Sequence, residues 1–218
     1  MDRKINILTY NRPHRKTQDL LFRLIATGHK NINVLVSDWI DRPTHNPIYQ
    51  HRPPPLFDVG IFELCERLNI PCPQRGILDS NDVTLIAGAG IIPFFEKNTI
   101  INSHPGYLPN VRGLDALKWA IYEGQPIGVT THIISDEVDA GIMIDRQLVP
   151  IYFEDTFHSI AQRQYELEIQ MLVEAIDKPP GEKLLTPPEY IAHKRMPHSK
   201  EIKMMSILNN IISKAPNK

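Results

Sequence analysis

The chain has 218 residues, and its 24 lysines and arginines nearly balance its 25 aspartates and glutamates, which leaves a formal net charge of −1. This length suits one ordinary domain, and the near-neutral charge gives no electrostatic support for binding to nucleic acid or to an anionic membrane. The longest apolar runs have the length of strands, and the first residues lack the pattern of a signal peptide. We therefore expect a cytoplasmic protein without a membrane-spanning helix.

The N-terminal part of the chain has the pattern of a βαβ unit. Apolar residues predict a strand over residues 5–10, a helix over residues 17–27 and a second strand over residues 32–36. Such a unit is right-handed, and its two strands are parallel. From Asp41 to Pro55 the chain is rich in proline, histidine and arginine, which predicts a loop that either crosses the surface or forms a wall over a substrate anion.

The middle of the chain contains two predicted strands that could carry a site. A helix is expected over residues 58–68, and the unbroken apolar run of residues 83–87 is typical of a central strand that is covered on both faces. A second buried strand is expected to end at Asn102. Because the carboxyl ends of parallel strands are where sites form, both strands should deliver their following loops to one side of the sheet.

The C-terminal half contains elements that follow from apolar periodicity and from capping residues. They are a helix over residues 115–122, strands over 127–133 and 142–149, and a helix over 156–176 that Asp155 or Thr156 caps. We divide the chain into a main domain over residues 1–178 and a short C-terminal extension over residues 179–218. The extension is polar and basic with one amphipathic piece, so we expect it to be weakly packed or to contact a partner.

The most informative residues of the sequence are Asn102 and His104, together with His132 and Asp139 further along the chain. An asparagine amide can stabilise an oxyanion, a histidine can transfer a proton, and an aspartate can orient the histidine and favour its protonated form. Pro105 disfavours the α region for the residue before it, so the backbone of His104 should be extended. Each residue alone could have a structural role in a turn, but the joint spacing of the two loops favours catalysis.

These residues belong to two motifs that resemble those of the folate-dependent formyltransferases. The first motif combines Asn102-x-His104-Pro105 with Leu108-Pro109 and Arg112-Gly113. The second combines Gly128-Val129-Thr130-x-His132 with Asp136-Glu137-x-Asp139-x-Gly141. The resemblance covers residues 83–176, and the N-terminal βαβ pattern adds fainter support.

The resemblance implies an α/β protein with a Rossmann-like formyltransferase fold, in which a mostly parallel central sheet has helices on both faces. Residues 1–178 would be the catalytic domain. The implied reaction moves a formyl group from N10-formyltetrahydrofolate to an amine, and it requires neither a metal nor a covalent intermediate. The amine would attack the formyl carbon directly and form a tetrahedral intermediate.

The resemblance also implies a role for each motif residue. The catalytic residues would be Asn102, His104 and Asp139, with His132 as their neighbour. The residues expected to line the folate pocket, largely through backbone groups, are Gly88, Ala89, Gly90, Ile91, Ser135, Asp136 and Glu137. Glycine suits such a pocket because its backbone can approach a flat ring closely. The residues expected to bind the amine substrate are Arg12, Arg15, Lys16 and His132.

The sequence argues against some acceptor amines, but it does not identify a single one. A nucleotide-linked amino sugar used in polysaccharide biosynthesis fits best as the acceptor. The loop after the first strand, the Asp41 to Pro55 segment and the short extension suit the branch of the family that formylates such sugars. The branch that formylates glycinamide ribonucleotide opens with a Gly-Ser-Asn-type loop, where this chain has Tyr10-Asn11-Arg12-Pro13. The branch that acts on methionyl-tRNA carries a sizeable C-terminal domain for the nucleic acid, for which residues 179–218 are too few.

Two other functions remain as alternatives. Hydrolysis of formyltetrahydrofolate would use similar residues with water as the acceptor, but we would expect a separate regulatory domain. A non-catalytic folate-binding module would keep the pocket, but it would not need the complete set of catalytic side chains. We expect no nucleic-acid or membrane partner, and the sheet edges and the extension offer surfaces on which a homodimer could form.

Overall fold

A computed structural model of the chain describes residues 3–37, 39, 45–73, 82–89, 99–135, 139, 141–184 and 191–218. The strands in these residues are β1 (Ile5–Tyr10), β2 (Ile32–Ser37), β3 (Val83–Ile86), β4 (Thr99–His104), β5 (Arg112–Gly113), β6 (Gly128–Ile133), β7 (Gly141–Leu148), β8 (Lys183–Leu184) and β9 (Ala192–His193). The helices are α1 (Arg15–Ala26), α2 (Ile61–Arg67), α3 (Ala116–Glu123), α4 (Phe157–Glu174) and α5 (His198–Ile212). Within this described part, no helix has both the length and the apolar character needed to cross a membrane.

Seven of the described strands form one mixed sheet in the order β2-β1-β3-β4-β6-β7-β8. Strands β2, β1, β3 and β4 are parallel to one another, whereas β6 runs antiparallel to β4, β7 to β6 and β8 to β7. Most of these strands therefore point in one direction, which confirms the predicted mostly parallel sheet. Both faces of the sheet are covered at β2, because the adjacent residues Val34 and Leu35 are both buried.

The predicted βαβ unit is formed by β1, α1 and β2. The two strands pair in parallel over their whole length, and α1 connects them. Leu20, Leu21 and Leu24 lie on the inner side of α1 and are fully buried, as expected for an amphipathic helix that packs on a sheet. The unit places the first turn of α1, from Arg15 onward, just after the carboxyl end of β1.

Helix α4 begins with a capping box at Thr156, one of the two predicted caps. Thr156 Oγ1 accepts a hydrogen bond from Ser159 N at 3.1 Å, and Ser159 Oγ accepts one from Thr156 N at 2.9 Å. The helix packs on β4, β6 and α1. Its inner side carries polar residues as well as apolar ones, because Gln164 and Glu168, one turn apart, are both buried.

The described part of the C-terminal extension packs closely on the main domain. Met196, Met204 and Leu208 are fully buried in a cluster that includes apolar residues of α3, and β9 pairs in parallel with β5. The expectation of a weakly packed extension is therefore wrong for these residues. Its polar composition was misleading, because a few apolar side chains at helical spacing, such as Met204 and Leu208, face inward.

A buried ion pair joins the extension to α3. Lys118 Nζ donates to Glu201 Oε1 at 3.1 Å, and neither side chain is exposed to solvent. The other carboxylate oxygen of Glu201 accepts a hydrogen bond from Tyr49 N at 3.0 Å. Tyr49 belongs to residues 45–57 of the chain between β2 and α2, which we call the 45–57 loop. One carboxylate thus holds three segments of the chain together.

We predict that Glu201→Gln lowers the free energy of unfolding by about 3–5 kcal/mol, since it leaves the Lys118 ammonium buried without a counter-charge. The double variant Lys118→Met/Glu201→Gln should recover most of this loss, because glutamine can still accept from Tyr49 N. Urea denaturation followed by circular dichroism measures both values. The matched control is Glu63→Gln, which breaks the exposed Arg67–Glu63 pair and should cost less than about 1 kcal/mol. Equal losses in control and test variant would contradict the prediction.

Candidate active site

A cleft of about 860 Å³ lies at the carboxyl ends of β1, β3 and β4. This is the position at which open parallel sheets hold ligands. The 45–57 loop, the start of α1 and one side of α4 also contribute to it. The predicted site residues that line the cleft are Arg15, Lys16, Gly88, Ala89, Asn102, His104, His132, Ser135 and Asp139. The fold therefore brings the two motifs and the first loop to one place.

Strand β4 continues two residues beyond its predicted end. Asn102 and His104 belong to β4 because β6 pairs with them, through His132 and Thr130 respectively. The prediction that the strand ends at Asn102 is therefore wrong, since an antiparallel partner from later in the chain extends it. Because side chains alternate along a strand, Asn102 and His104 project from one face and Ser103 projects from the other.

His132 lies directly across the strand pair from Asn102. The side-chain nitrogen Nδ2 of Asn102 is 3.4 Å from His132 Nε2, so the amide can donate to that ring nitrogen when the nitrogen carries no proton. His132 is itself buried. This contact orients the Asn102 amide at the surface of the cleft.

Both ring nitrogens of His104 face oxygen acceptors. His104 Nδ1 is 3.2 Å from Asp139 Oδ1, and His104 Nε2 is 2.9 Å from the carbonyl oxygen of Val111. Only the imidazolium form carries a proton on both nitrogens, so only that form donates to both acceptors. The side chain is 5% exposed, which leaves little room for water to replace either contact. The geometry therefore favours a protonated His104.

Both carboxylate oxygens of Asp139 have donors in the protein. Oδ1 faces His104, and Oδ2 accepts a hydrogen bond from Gly113 N at 2.6 Å. The backbone of Gly113 has a φ of 84°, and a Cβ at this position would overlap the backbone of His193. Glycine is therefore needed at residue 113 for its N–H to reach Asp139. Asp139 has a φ of 51°, a left-handed conformation that aspartate tolerates better than most residues.

The pKa values of His104 and Asp139 move in opposite directions. Burial would lower the pKa of His104, but the Asp139 charge, the hydrogen bond to it and the Val111 carbonyl outweigh burial and raise this pKa above its ordinary value. Burial would raise the pKa of Asp139, but the charge and hydrogen bond of His104 and the Gly113 N–H outweigh it and hold this pKa well below its usual range.

These shifts make the stability of the protein depend on pH. The raised pKa of His104 adds stability that is fully present below about pH 6.5 and is lost as the pH rises through the folded-state pKa. The lowered pKa of Asp139 adds stability that is fully present above about pH 4 and is lost as the pH falls through its folded-state pKa. The pair therefore stabilises the fold most between these two limits.

We expect Asp139→Asn to lower the pKa of His104, because the substitution removes the negative charge that favours the imidazolium form. The pH dependence of the His104 Cε1–H signal in the NMR spectrum measures this pKa. Asp177→Asn removes a carboxylate from an exposed position beyond α4 and is the matched control. If both variants leave the His104 titration unchanged, Asp139 does not set the protonation state of the ring.

Gly106 allows the loop after β4 to approach the His104 ring closely. A Cβ built on Gly106 would lie 2.6 Å from His104 Nε2 and 2.6 Å from Val111 O, closer than real Cβ contacts allow. Thr130 Oγ1 also donates to the Gly106 carbonyl at 2.9 Å, which holds the loop in place. The sequence alone assigned no role to Gly106, because the ring it contacts is brought there by the turn.

We predict that Gly106→Ala displaces the His104 ring from the Val111 carbonyl and lowers the free energy of unfolding by about 1–3 kcal/mol. The displaced imidazolium loses one acceptor, so its pKa should fall. NMR titration and urea denaturation measure the two effects. Gly60→Ala is the control, because a Cβ there meets nothing within 4 Å. A His104 titration like that of the unmodified protein would show that the ring tolerates the added methyl group.

The cleft offers a backbone surface for a flat ligand. Three predicted folate-pocket residues line it: Gly88, Ala89 and Ser135. The other four lie outside the described residues: Gly90, Ile91, Asp136 and Glu137. A Cβ on Gly88 would lie 2.9 Å from His14 Cε1 and 3.1 Å from the Tyr10 ring, so the backbone there packs against side chains on one side. No group of three or more metal-ligating side chains is found among the residues that the structure describes.

The predicted amine-binding side chains have partners within the protein. Arg12 lies outside the cleft lining, with its guanidinium carbon 3.7 Å from the centre of the Trp39 ring. Arg15 lines the cleft, and its Nε donates at 2.7 Å to a carboxylate one turn later on α1. Lys16 Nζ donates to Glu168 Oε1 at 2.7 Å. Of these three basic residues, Arg15 and Lys16 therefore reach the cleft, each as a member of an ion pair.

Four charged residues of the cleft lining were not among the predicted site residues: Arg52, Asp115, Glu168 and Arg195. The 45–57 loop contributes several lining residues: His51, Arg52, Pro53 and Pro55. The loop thus forms a wall of the cleft, while the predicted substrate anion stays a prediction, and residues 41–44 of the predicted loop lie outside the described residues. Arg52 and Glu168 form an ion pair. Glu168 lies one helical turn before the buried Leu172, and this spacing was the available signal that it faces inward.

Residues 85–176 match a family model described as formyl transferase. The phosphoribosylglycinamide formyltransferase of Haemophilus influenzae is 35% identical over 102 residues, which are 43% of this chain and 48% of that protein. The methionyl-tRNA formyltransferase of Citrifermentans bemidjiense is 30% identical over 168 residues, which are 71% of this chain and 52% of that protein. The chain thus spans about half the length of these curated relatives.

The fold is similar to that of a solved N-formyltransferase from Helicobacter canadensis in complex with folinic acid and dTDP-3-aminofucose. The TM-score is 0.61 at 15% sequence identity, and the match covers 99% of this chain and 84% of that chain. At this identity the likeness shows the fold alone. Together with the family match over residues 85–176, it confirms the resemblance carried by the two motifs and the predicted fold.

Proposed function

We propose that the chain transfers a formyl group from N10-formyltetrahydrofolate to the primary amine of a nucleotide-linked amino sugar. The observation that carries formyl transfer is the position of the His104 ring, which contacts Asp139 and a backbone carbonyl in the cleft that Asn102 also lines. An amide donor and an imidazolium donor lie on the same face of β4, about 7 Å apart along the strand. Both can therefore act on one bound formyl group.

Asn102 and His104 would stabilise the charge that develops during the reaction. When the amine attacks the formyl carbon, negative charge accumulates on the formyl oxygen. The Asn102 amide is in place before this happens, whereas the protonated His104 becomes a donor to the formyl oxygen when its Nε2–H shifts from the Val111 carbonyl to the substrate. Losing one donor of this kind typically costs about 10²–10³ in rate. Burial of His104 strengthens the effect, because charges interact more strongly away from water.

His104 would also move the proton that the reaction requires. Because the ring rests in its protonated form, it acts first as a general acid toward the folate nitrogen that leaves. The ring then recovers a proton from the attacking amine, which must lose one. Asp139 keeps the ring oriented with Nδ1 as a donor and does not need to accept the proton itself. Over one turnover the amine loses one proton and the folate gains one.

The folate would lie against the backbone of Gly88 and Ala89 and beside Ser135, which line the same cleft. When bound, it supplies the formyl group that is transferred. The close packing behind Gly88 leaves its open side toward the cleft, which suits a flat ring. The Helicobacter canadensis protein with this fold was solved with folinic acid, and this supports a folate donor here.

The amino-sugar acceptor is supported by the cleft and by the same solved structure. Arg15, Arg52 and Arg195 line the cleft, and guanidinium groups suit the phosphates of a nucleotide sugar. The Helicobacter canadensis protein was solved with dTDP-3-aminofucose. The alternative acceptor is glycinamide ribonucleotide, which the relative from Haemophilus influenzae supports. Both candidates carry phosphate and a primary amine, so they must be separated by experiment.

The acceptor can be identified by incubating the purified protein with N10-formyltetrahydrofolate and one amine at a time. The panel contains dTDP-linked and UDP-linked amino sugars, glycinamide ribonucleotide and a sample without amine. We expect tetrahydrofolate to form only when an amino-sugar nucleotide is present. Turnover with glycinamide ribonucleotide alone would replace the proposed acceptor, and formate release without amine would indicate hydrolysis. No reaction with any member would refute formyl transfer.

We predict that Asn102→Ala and His104→Ala each lower kcat by about 10²–10³-fold, because each removes a donor to the developing charge. Asp139→Ala should lower kcat by about 10²-fold or more, because the imidazolium loses its counter-charge. Folate binding, measured by fluorescence titration, should persist in all three. The controls Asn110→Ala and His158→Ala change the same residue types outside the cleft lining and should leave kcat near its normal value. Near-normal rates in two of the three site variants would exclude the assignment.

A further inference from the structure

We propose that Glu168 is a positioning residue that holds the catalytic end of β4 through Lys16 and joins it to the 45–57 loop through Arg52. In this arrangement Lys16 supports the backbone of β4 and does not bind the acceptor. The inference deepens the proposed function, and its kinetic test rests on that function. It does not follow from either sequence motif, because none of the three residues belongs to one.

Each carboxylate oxygen of Glu168 has its own cationic partner. Lys16 Nζ donates to Oε1 at 2.7 Å, and Arg52 Nη1 donates to Oε2. The Glu168 side chain is 1% exposed, and burial alone would raise its pKa. The charges and hydrogen bonds of Arg52 and Lys16 outweigh burial and lower this pKa to about 2. Glu168 is therefore an ionised group, and its partners come from α1 and from the 45–57 loop.

Lys16 reaches the backbone of β4 between the two proposed catalytic residues. Its Nζ donates to the carbonyl oxygen of Ser103 at 3.3 Å. Strand β3 pairs with β4 at residues 99–101, whereas β6 pairs with residues 101–104. In the described chain, the last residues of β4 thus have a strand neighbour on one side only. A buried carbonyl needs a donor, and Lys16 supplies one where β3 no longer does.

Helix α4 also holds the backbone on the other side of His104. Gln164, one turn before the proposed positioning residue, donates through Nε2 to the carbonyl oxygens of Pro105 and Gly128, each at 3.0 Å. The carbonyls before and after His104 are therefore both held from α4, one through Lys16 and the other directly. Since consecutive turns of a helix are joined by backbone hydrogen bonds, these two attachments keep a constant separation.

The contacts of Lys16 argue against a direct role in binding an acceptor phosphate. Its side chain is 11% exposed, and its ammonium group already has two oxygen acceptors in the protein. Two of the three N–H donors of the ammonium are thus engaged, and Glu168 already balances its charge, so Lys16 is a poor partner for a phosphate. Arg15 is adjacent on α1 and more exposed, at 23%, so it is better placed to meet a ligand in the cleft.

Arg52 extends the same set of contacts to the 45–57 loop. Its side chain is 38% exposed, so it can contact a ligand in the cleft while it remains paired with Glu168. A ligand that orders this loop would then also favour the arrangement of Glu168 and Lys16 that supports β4. The carboxylate of Glu168 therefore couples the position of the 45–57 loop to the position of β4.

Lys16→Met tests the proposal, because it removes the contact with β4 and leaves the Arg52–Glu168 ion pair in place. We expect kcat to fall about tenfold while the acceptor KM stays within about twofold, the pattern for a lost transition-state contribution without lost substrate binding. Amide hydrogen exchange at Ser103, His104 and Gly106 should become about tenfold faster, because the strand end opens more easily. Glu168→Gln should produce the same exchange effect.

Arg23→Met is the matched control, since it removes a cation from an exposed position on the same helix. It should change neither kcat nor exchange in β4. A tenfold rise in acceptor KM with unchanged kcat in Lys16→Met would overturn the proposal and make Lys16 an acceptor-binding residue. Unchanged exchange at the end of β4 would overturn it as well. The exchange experiment needs no substrate, so it tests the role of Glu168 and Lys16 even if the protein transfers no formyl group. A lack of formyl transfer would refute only the proposed function.

Discussion

The antiparallel pairing of β6 with β4 brings the parts of the candidate site together. The sheet changes from parallel to antiparallel at β4, so β6 carries His132 past Asn102 and Thr130 past His104. The chain then returns to the cleft, where Asp139 contacts the His104 ring. A parallel neighbour would present its residues in the opposite order along β4, and the two motifs would not meet in this register. The chemistry proposed for the cleft therefore depends on one change of strand direction.

The elements of the fold were largely predictable because most of them bury one apolar side. The βαβ unit and helix α4 follow from apolar residues at strand or helix spacing, and Thr156 was predicted as one of two possible caps. The proposed catalytic residues were also predictable, since two specific motifs contain them. The end of β4 was not predictable as a strand, because Asn102-Ser103-His104 is a polar stretch. It forms a strand only through its pairing with β6, which tertiary structure supplies.

The spacing of Glu168 from Leu172 could indicate an inward position, but the sequence could not reveal that charged side chains are buried as ion pairs. A glutamate on a helix is ordinarily assigned to solvent, because ionised side chains are seldom buried without partners. The partners of Glu168 are Lys16 and Arg52, which lie far from it in the sequence and on two different segments. Glu201 in the C-terminal extension has the same character, because Lys118 neutralises it inside the protein. In both places the fold must be known before the burial of the charge can be understood.

The capping box of α4 also sets the rotational phase of that helix. Successive residues of an α-helix are turned by about 100° around its axis, so the residue at which regular winding begins determines the azimuth of every later side chain. Thr156 and Ser159 define that residue by their reciprocal hydrogen bonds. If the sequence were shifted by one position along the helix, Gln164 and Glu168 would be turned by about 100° away from the groups that they contact. The hydroxyl groups of Thr156 and Ser159, at the solvent edge, thus help to set the direction in which Gln164 and Glu168 point, about two to three turns further along the helix.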